Sequence, residues 1–210
     1  MRLGAAFFFV ATERVSSLRA AALLAALLVA CRSTGDERRA DLHVPDADGR
    51  LVAPLEAPRA RAIVLLFVMR DCPISNAFAP EIERIRGEYA PRGVAFDLVY
   101  ADPSETGEGA RKHAADFGHR SRVLLDPAHV LVRLSGATKS PEAAVLSPAG
   151  EVLYLGRIDD RFVDYGKQRP APRTRDLRAA LDAILDGRSP EVARTEAVGC
   201  FLPDPPPIAQ

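Results

Sequence analysis

The 210 residues carry 28 Lys and Arg against 28 Asp and Glu, so the formal charge is zero, and 48% of the side chains are hydrophobic and 27% charged. That composition fits one folded domain with short appendages and excludes an intrinsically disordered chain. Zero net charge, no Trp and no run of Lys or Arg leave no footprint for nucleic acid, and no apolar run reaches the roughly 18 residues of a membrane span.

In residues 1–30, Arg2, Arg14 and Arg19 precede an uninterrupted apolar stretch, Ala20 to Ala30, of 11 residues. That length suits a signal-peptide core. The stretch ends in Leu28-Val29-Ala30-Cys31, which resembles the lipobox of bacterial lipoproteins, where the Cys is acylated and becomes the new N-terminus. The resemblance implies a signal peptide over 1–30 and a lipid anchor at Cys31. It places the protein on the periplasmic side of a bacterial membrane, where disulfides persist. A secretory signal with an incidental Cys is the plainer alternative. Removing residues 1–30 takes away three Arg and one Glu and leaves a net charge of −2.

Residues 31–40 are polar and aperiodic and read as a tether, and the globular pattern runs over 41–187. Leu42-His43-Val44 and Leu51-Val52 flank Asp48-Gly49, a hairpin signal. Ala62 to Met69 is a continuous apolar run, as expected of a central strand covered on both faces. Helical spacing follows from Ser75 to Tyr89, then a strand from Val94 to Tyr100 and a helix from Glu105 to Phe117. Val123 to Leu125 predicts a short strand and Ala128 to Leu134 a short helix. Ala143 to Leu146 and Val152 to Leu155 read as a hairpin across Ser147-Pro148-Ala149-Gly150-Glu151. Thr174 to Leu185 reads as a last amphipathic helix, capped at Arg173 or Thr174 and stopped by Gly187. Alternating strands and helices predict an α/β fold with helices on both faces, and the final hairpin makes the sheet mixed. The tail over 188–210, rich in Pro203, Pro205, Pro206 and Pro207, reads as extended or mobile, and it carries Cys200.

Cys72 lies between the apolar strand and the first helix, in Arg70-Asp71-Cys72-Pro73. A helix N-terminus favours an anion, and the thiolate is the reactive form of Cys. Arg70 favours that charge and Asp71 opposes it. A buried structural Cys is the alternative.

At these residues the chain resembles the thioredoxin-like redoxins, the superfamily of thioredoxins and peroxiredoxins, over about 41–187. In thioredoxins a strand leads to Cys-x-x-Cys and a helix that a Pro kinks five residues after the second Cys. Here Cys72-Pro73-Ile74-Ser75 stands in that place, with Pro80 five residues after Ser75. The family sets a cis-Pro opposite the active Cys, ahead of an antiparallel strand, and Ser140-Pro141-Glu142 is similar. The resemblance implies a thioredoxin-like three-layer α/β/α sandwich with a mixed sheet. It also implies Cys72 as the nucleophile and a substrate groove around Pro73, Ser75 and Pro141. Two departures stand out. Ser75 replaces the second Cys, so no dithiol forms within the motif. Met69 occupies the position of the Thr that helps a peroxiredoxin hold peroxide.

Cys200, in Val198-Gly199-Cys200-Phe201, is the remaining thiol once Cys31 is lipidated. A tail folding back could let it resolve a mixed disulfide or sulfenic acid on Cys72. A permanent Cys72–Cys200 bridge and two unrelated thiols remain open as alternatives. The reading is an exported, membrane-anchored thiol oxidoreductase or antioxidant redoxin of the AhpC/TSA type. It acts on peroxide or on protein thiols and disulfides and needs no cofactor or metal. The rival is a thioredoxin-fold protein that binds copper or a client without turnover. Copper-delivery relatives use Cys-x-x-x-Cys and a distant His. Asn76 breaks that pair, which leaves Cys72, Cys200 and one of His43, His113, His119 or His129 for soft Cu(I). Gly107-Glu108-Gly109 is too short for a phosphate loop. Asp159-Asp160-Arg161 reads as a solvated loop with a local ion pair, although a similar segment recurs in redoxin-like proteins.

Overall fold

A computed structural model describes residues 42–205. The expected leader, the lipid-bearing Cys31 and the tether lie outside the described residues.

The described residues open with a small hairpin, β1 (Val44–Pro45) and β2 (Leu51–Val52), in the register Val44 to Val52. Its turn forms as the Asp48-Gly49 signal predicts: Asp46 Oδ1 accepts from the backbone N–H of Asp48 and Arg50, and Gly49 sits at φ 79°. Next come β3 (Ala62–Phe67), α1 (Pro73–Tyr89), β4 (Val94–Tyr100), α2 (Gly107–Asp116) and β5 (Arg122–Leu125). Then follow α3 (Val130–Ser135), β6 (Lys139–Ser140), β7 (Glu142–Leu146) and β8 (Val152–Gly156). A second hairpin, β9 (Phe162–Asp164) and β10 (Lys167–Gln168), precedes α4 (Asp176–Leu185) and the terminal β11 (Cys200–Phe201). Nothing in the sequence pattern announced the second hairpin.

The central sheet has the order β5-β4-β3-β7-β8. β3, β4 and β5 run parallel, while β7 and β8 are antiparallel, so the sheet is mixed as expected. All six residues of β3 are buried. Its alternate side chains supply two separate cores, because strand side chains point to opposite faces. Ala62, Val64 and Leu66 meet Phe78, Ile82, Ile85 and Tyr89 of α1, and Leu177 and Leu181 of α4. Ile63, Leu65 and Phe67 meet Leu124, Leu131 of α3 and Val44 of the first hairpin. Burying each large side chain contributes about 1.5–3 kcal/mol, so β3 is the spine from which the Cys72 turn is suspended.

Two expectations need correction. The last helix begins at Asp176, not at Arg173 or Thr174, because Asp160 Oδ1 takes the N–H groups of Arg173 (2.6 Å) and Thr174 (3.0 Å). Asp159 and Asp160 are buried, so Asp159-Asp160-Arg161 is a loop clamp and not a solvated loop. Asp159 also accepts from Arg161 N at 2.8 Å. Within the tail, residues 193–202 are extended but held in place, not mobile. Leu155 of β8 exchanges backbone bonds with Ala193 O (3.0 Å) and Thr195 N (3.1 Å). β11 pairs antiparallel with β6, and Leu202 N donates to Thr138 O at 3.0 Å. Residues 193–202 therefore form a strap across one end of the domain.

Candidate active site

Cys72 is the N-cap of α1, with φ −91° and ψ 107°. Pro73 follows at the first helical position, where a missing N–H costs nothing. The Cys72 sulfur accepts from Ser75 N–H at 3.4 Å and donates to the carbonyl of Ser140 at 3.1 Å. Ser140 precedes Pro141 through a cis peptide bond, as the resemblance implied. Glu142, itself buried, accepts from Thr138 N (2.7 Å) and Lys139 N (3.0 Å) and so closes this loop. Ser75 stands where a second Cys would stand and serves the site through its backbone, while Pro73 lies exposed beside it. Cys72, Ser75 and Pro141 thus come together, with Pro73 at the rim.

The strap places Cys200 in the same spot. Cys200 pairs with Ser140, whose carbonyl takes the Cys72 S–H, and this sets the Cys200 thiol beside that of Cys72. Both cysteines are free thiols. Burial first, and Cys72 second, push the Cys200 thiol up to about 11, against a partial opposing pull from the Tyr165 hydroxyl. Tyr165, just after β9, also donates to Gly199 O. Gly199 is needed here for space: a Cβ would stand 2.0 Å from Ser140 O. The result is a Cys72 that is 0% exposed and a Cys200 that is partly exposed. An open thiol at the strand-to-helix turn was the expectation, and the strap is the reason it is covered.

The charge around the turn is balanced. Arg70 pairs with Glu105 at 3.3 Å and with Asp71 at 3.8 Å. Below the turn runs a polar chain that the sequence did not reveal. Asn76 Nδ2 donates to Arg70 O (2.9 Å), so Asn76 Oδ1 accepts from His113 Nε2 (2.9 Å). That leaves His113 Nδ1 to accept from the Tyr100 hydroxyl at 2.7 Å. The set is satisfied only with neutral His113, and burial lowers its pKa accordingly.

Among the described residues no three His, Cys, Asp or Glu side chains gather as a metal site. His113 belongs to the chain just described, His119 faces Glu83 at 3.4 Å and His129 bonds Ala101 O at 2.8 Å. Among the described residues no histidine, His43 included, joins the two thiols in a three-ligand set. A cleft of about 360 Å³ opens beside the strap, lined among others by Lys139, Arg157, Phe162, Tyr165, Gly199 and Phe201.

No family model matches the chain, and no curated protein matches it. Solved structures do. An uncharacterized conserved protein of Geobacillus kaustophilus superposes with a TM-score of 0.68 at 24% identity, over 79% of this chain and 89% of that one. A hypothetical protein of Sinorhizobium meliloti gives 0.65 at 25% identity, over 78% and 91%. A thioredoxin-like protein of Aeropyrum pernix gives 0.51 at 19% identity, over 62% and 89%. Strand order, the Cys-bearing helix start and the cis-Pro loop agree with that likeness: the fold is thioredoxin-like.

Proposed function

We propose that this protein is an exported, lipid-anchored thiol–disulfide oxidoreductase whose redox centre is the pair Cys72–Cys200. The observation that carries the reading is that residues 128 positions apart share one partner: Ser140 takes the Cys72 S–H on its carbonyl and pairs with Cys200 where β11 meets β6. Two thiols in contact exchange two electrons and two protons for one S–S bond without a cofactor. Ser75 removes the dithiol from within the motif, and Cys200 supplies the missing sulfur from the strap. Met69, in place of a hydroxyl side chain, favours disulfide exchange over peroxide reduction.

The reading is tested by equilibrating purified protein in glutathione buffers and measuring the free thiols. A redox-active pair titrates above about −300 mV, whereas a structural bridge stays oxidised there. Cys72→Ser and Cys200→Ser each abolish turnover of a disulfide substrate. Full activity in either variant refutes the pair as the centre. Intact mass of protein extracted from membranes reports the acyl chains on Cys31, and a mature N-terminus without lipid refutes the anchor.

A further inference from the structure

We infer that Cys200, and not Cys72, is the sulfur that external thiols attack, so the reducing partner is a dithiol that engages the strap. This rests on the reading of Cys72–Cys200 as a redox couple.

In thiol–disulfide exchange, access and leaving group decide which of two sulfurs is attacked. Access separates them here. Cys72 is 0% exposed, enclosed by the Ser140-Pro141 loop, the first turn of α1 and the strap. Cys200 is partly exposed, and its neighbour Phe201 is 71% exposed. The leaving group points the same way. Attack at Cys200 expels Cys72, whose sulfur already receives the Ser75 N–H at the start of a 17-residue helix. Attack at Cys72 would expel Cys200, a thiol that burial holds up at about 11 and which leaves poorly. This reverses the roles that the motif around Cys72 suggests, because the strap covers that motif.

The steps balance as follows. The partner's thiolate attacks Cys200 Sγ, the partner–Cys200 S–S bond forms and the Cys72–Cys200 bond breaks. The electron pair stays on Cys72 as thiolate, which then takes a proton from water. The partner's second thiol loses its proton to solvent and attacks its own sulfur in the mixed disulfide. Cys200 leaves as thiolate and is protonated. The partner is oxidised to a disulfide and this protein is reduced to the dithiol.

The test uses the wild-type protein, so no variant has to fold. Oxidised protein is mixed with the monothiol N-acetylcysteine, quenched in acid within the first turnover, alkylated and mapped by peptide mass. The adduct falls on Cys200 and the alkyl group on Cys72, with Cys200 favoured about tenfold or more. An adduct mainly on Cys72, or shared equally, overturns this inference and leaves the redox couple standing. If oxidation never lowers the intact mass by the two hydrogens of an intramolecular bond, the couple and the inference fall together.

Discussion

Gly199→Ala probes the device that brings the two sulfurs together. A Cβ at this position would stand 2.0 Å from Ser140 O and 2.6 Å from Ser140 C. A carbon–oxygen contact settles at about 3.3 Å, so the strap has to withdraw by about 1 Å or more. The obstacle is backbone, which cannot rotate aside as a side chain can. Overpacking of this kind costs about 1–3 kcal/mol, and each 1.4 kcal/mol is about tenfold in an equilibrium. The population with Cys200 seated against Cys72 therefore falls about 5- to 150-fold. The assay is the equilibrium between glutathione disulfide and the Cys72–Cys200 bond, which reads the effective concentration of one thiol at the other. That constant drops by the same factor in the variant. A wild-type constant would refute the reasoning, because Cys200 would then reach Cys72 by a path other than the β6 edge.

Gly156→Ala perturbs the other end of the strap: its Cβ would stand 2.1 Å from Thr195 Oγ1 and 2.5 Å from Thr195 O. Limited proteolysis should cut residues 193–202 faster in that variant, and an unchanged rate contradicts the anchoring described here. Alkali should loosen the reduced protein selectively. The Cys200 pKa is raised in the folded state to about 11, so its contribution is complete below the ordinary thiol value of about 8.5 and is lost as pH climbs through about 11. The melting temperature of the reduced form falls across that window. The oxidised form has no Cys200 proton to lose, and a parallel fall there would assign the loss to other groups. Acid acts through His113 and His119, both lowered chiefly by burial. The unfolded chain takes up these protons first below about pH 6.5, so stability is lost from there down to the depressed folded values. The urea midpoint drops from pH 7 to pH 5, and drops less in His113→Asn. Equal drops would remove His113 from the account.

The fold was legible wherever local pattern and tertiary demand coincide. Ala62 to Phe67 is apolar without alternation because both faces of β3 are covered, and Gly93 and Gly187 mark ends that the backbone respects at φ 90° and 73°. Helix starts were read less well, since distant groups set them. Asp160 captures the N–H groups of Arg173 and Thr174 and moves the start of α4 to Asp176. Cys72 and Ser75 were legible because strand, turn and helix dictate their place locally, whereas Pro141, 69 residues on, was placed only by the resemblance to thioredoxins.

The position of Cys200 was not legible, for a physical reason. Its strap is bound through main-chain groups: Ala193 O and Thr195 N to Leu155, Leu202 N to Thr138 O, and β11 to β6. Every non-proline residue carries those groups, so they leave no trace in side-chain pattern. What the strap does demand of sequence is the absence of a side chain at two crossing points, Gly199 against Ser140 and Gly156 against Thr195. A glycine before a cysteine in a proline-rich tail is weak as a signal, yet it is the feature that admits Cys200 to the closed site. The same closeness that makes the pair invisible locally makes it exclusive. A peptide bearing a side chain at the Gly199 position cannot follow the strap's path along β6, so while the strap is seated the sulfur beside Cys72 is the protein's own.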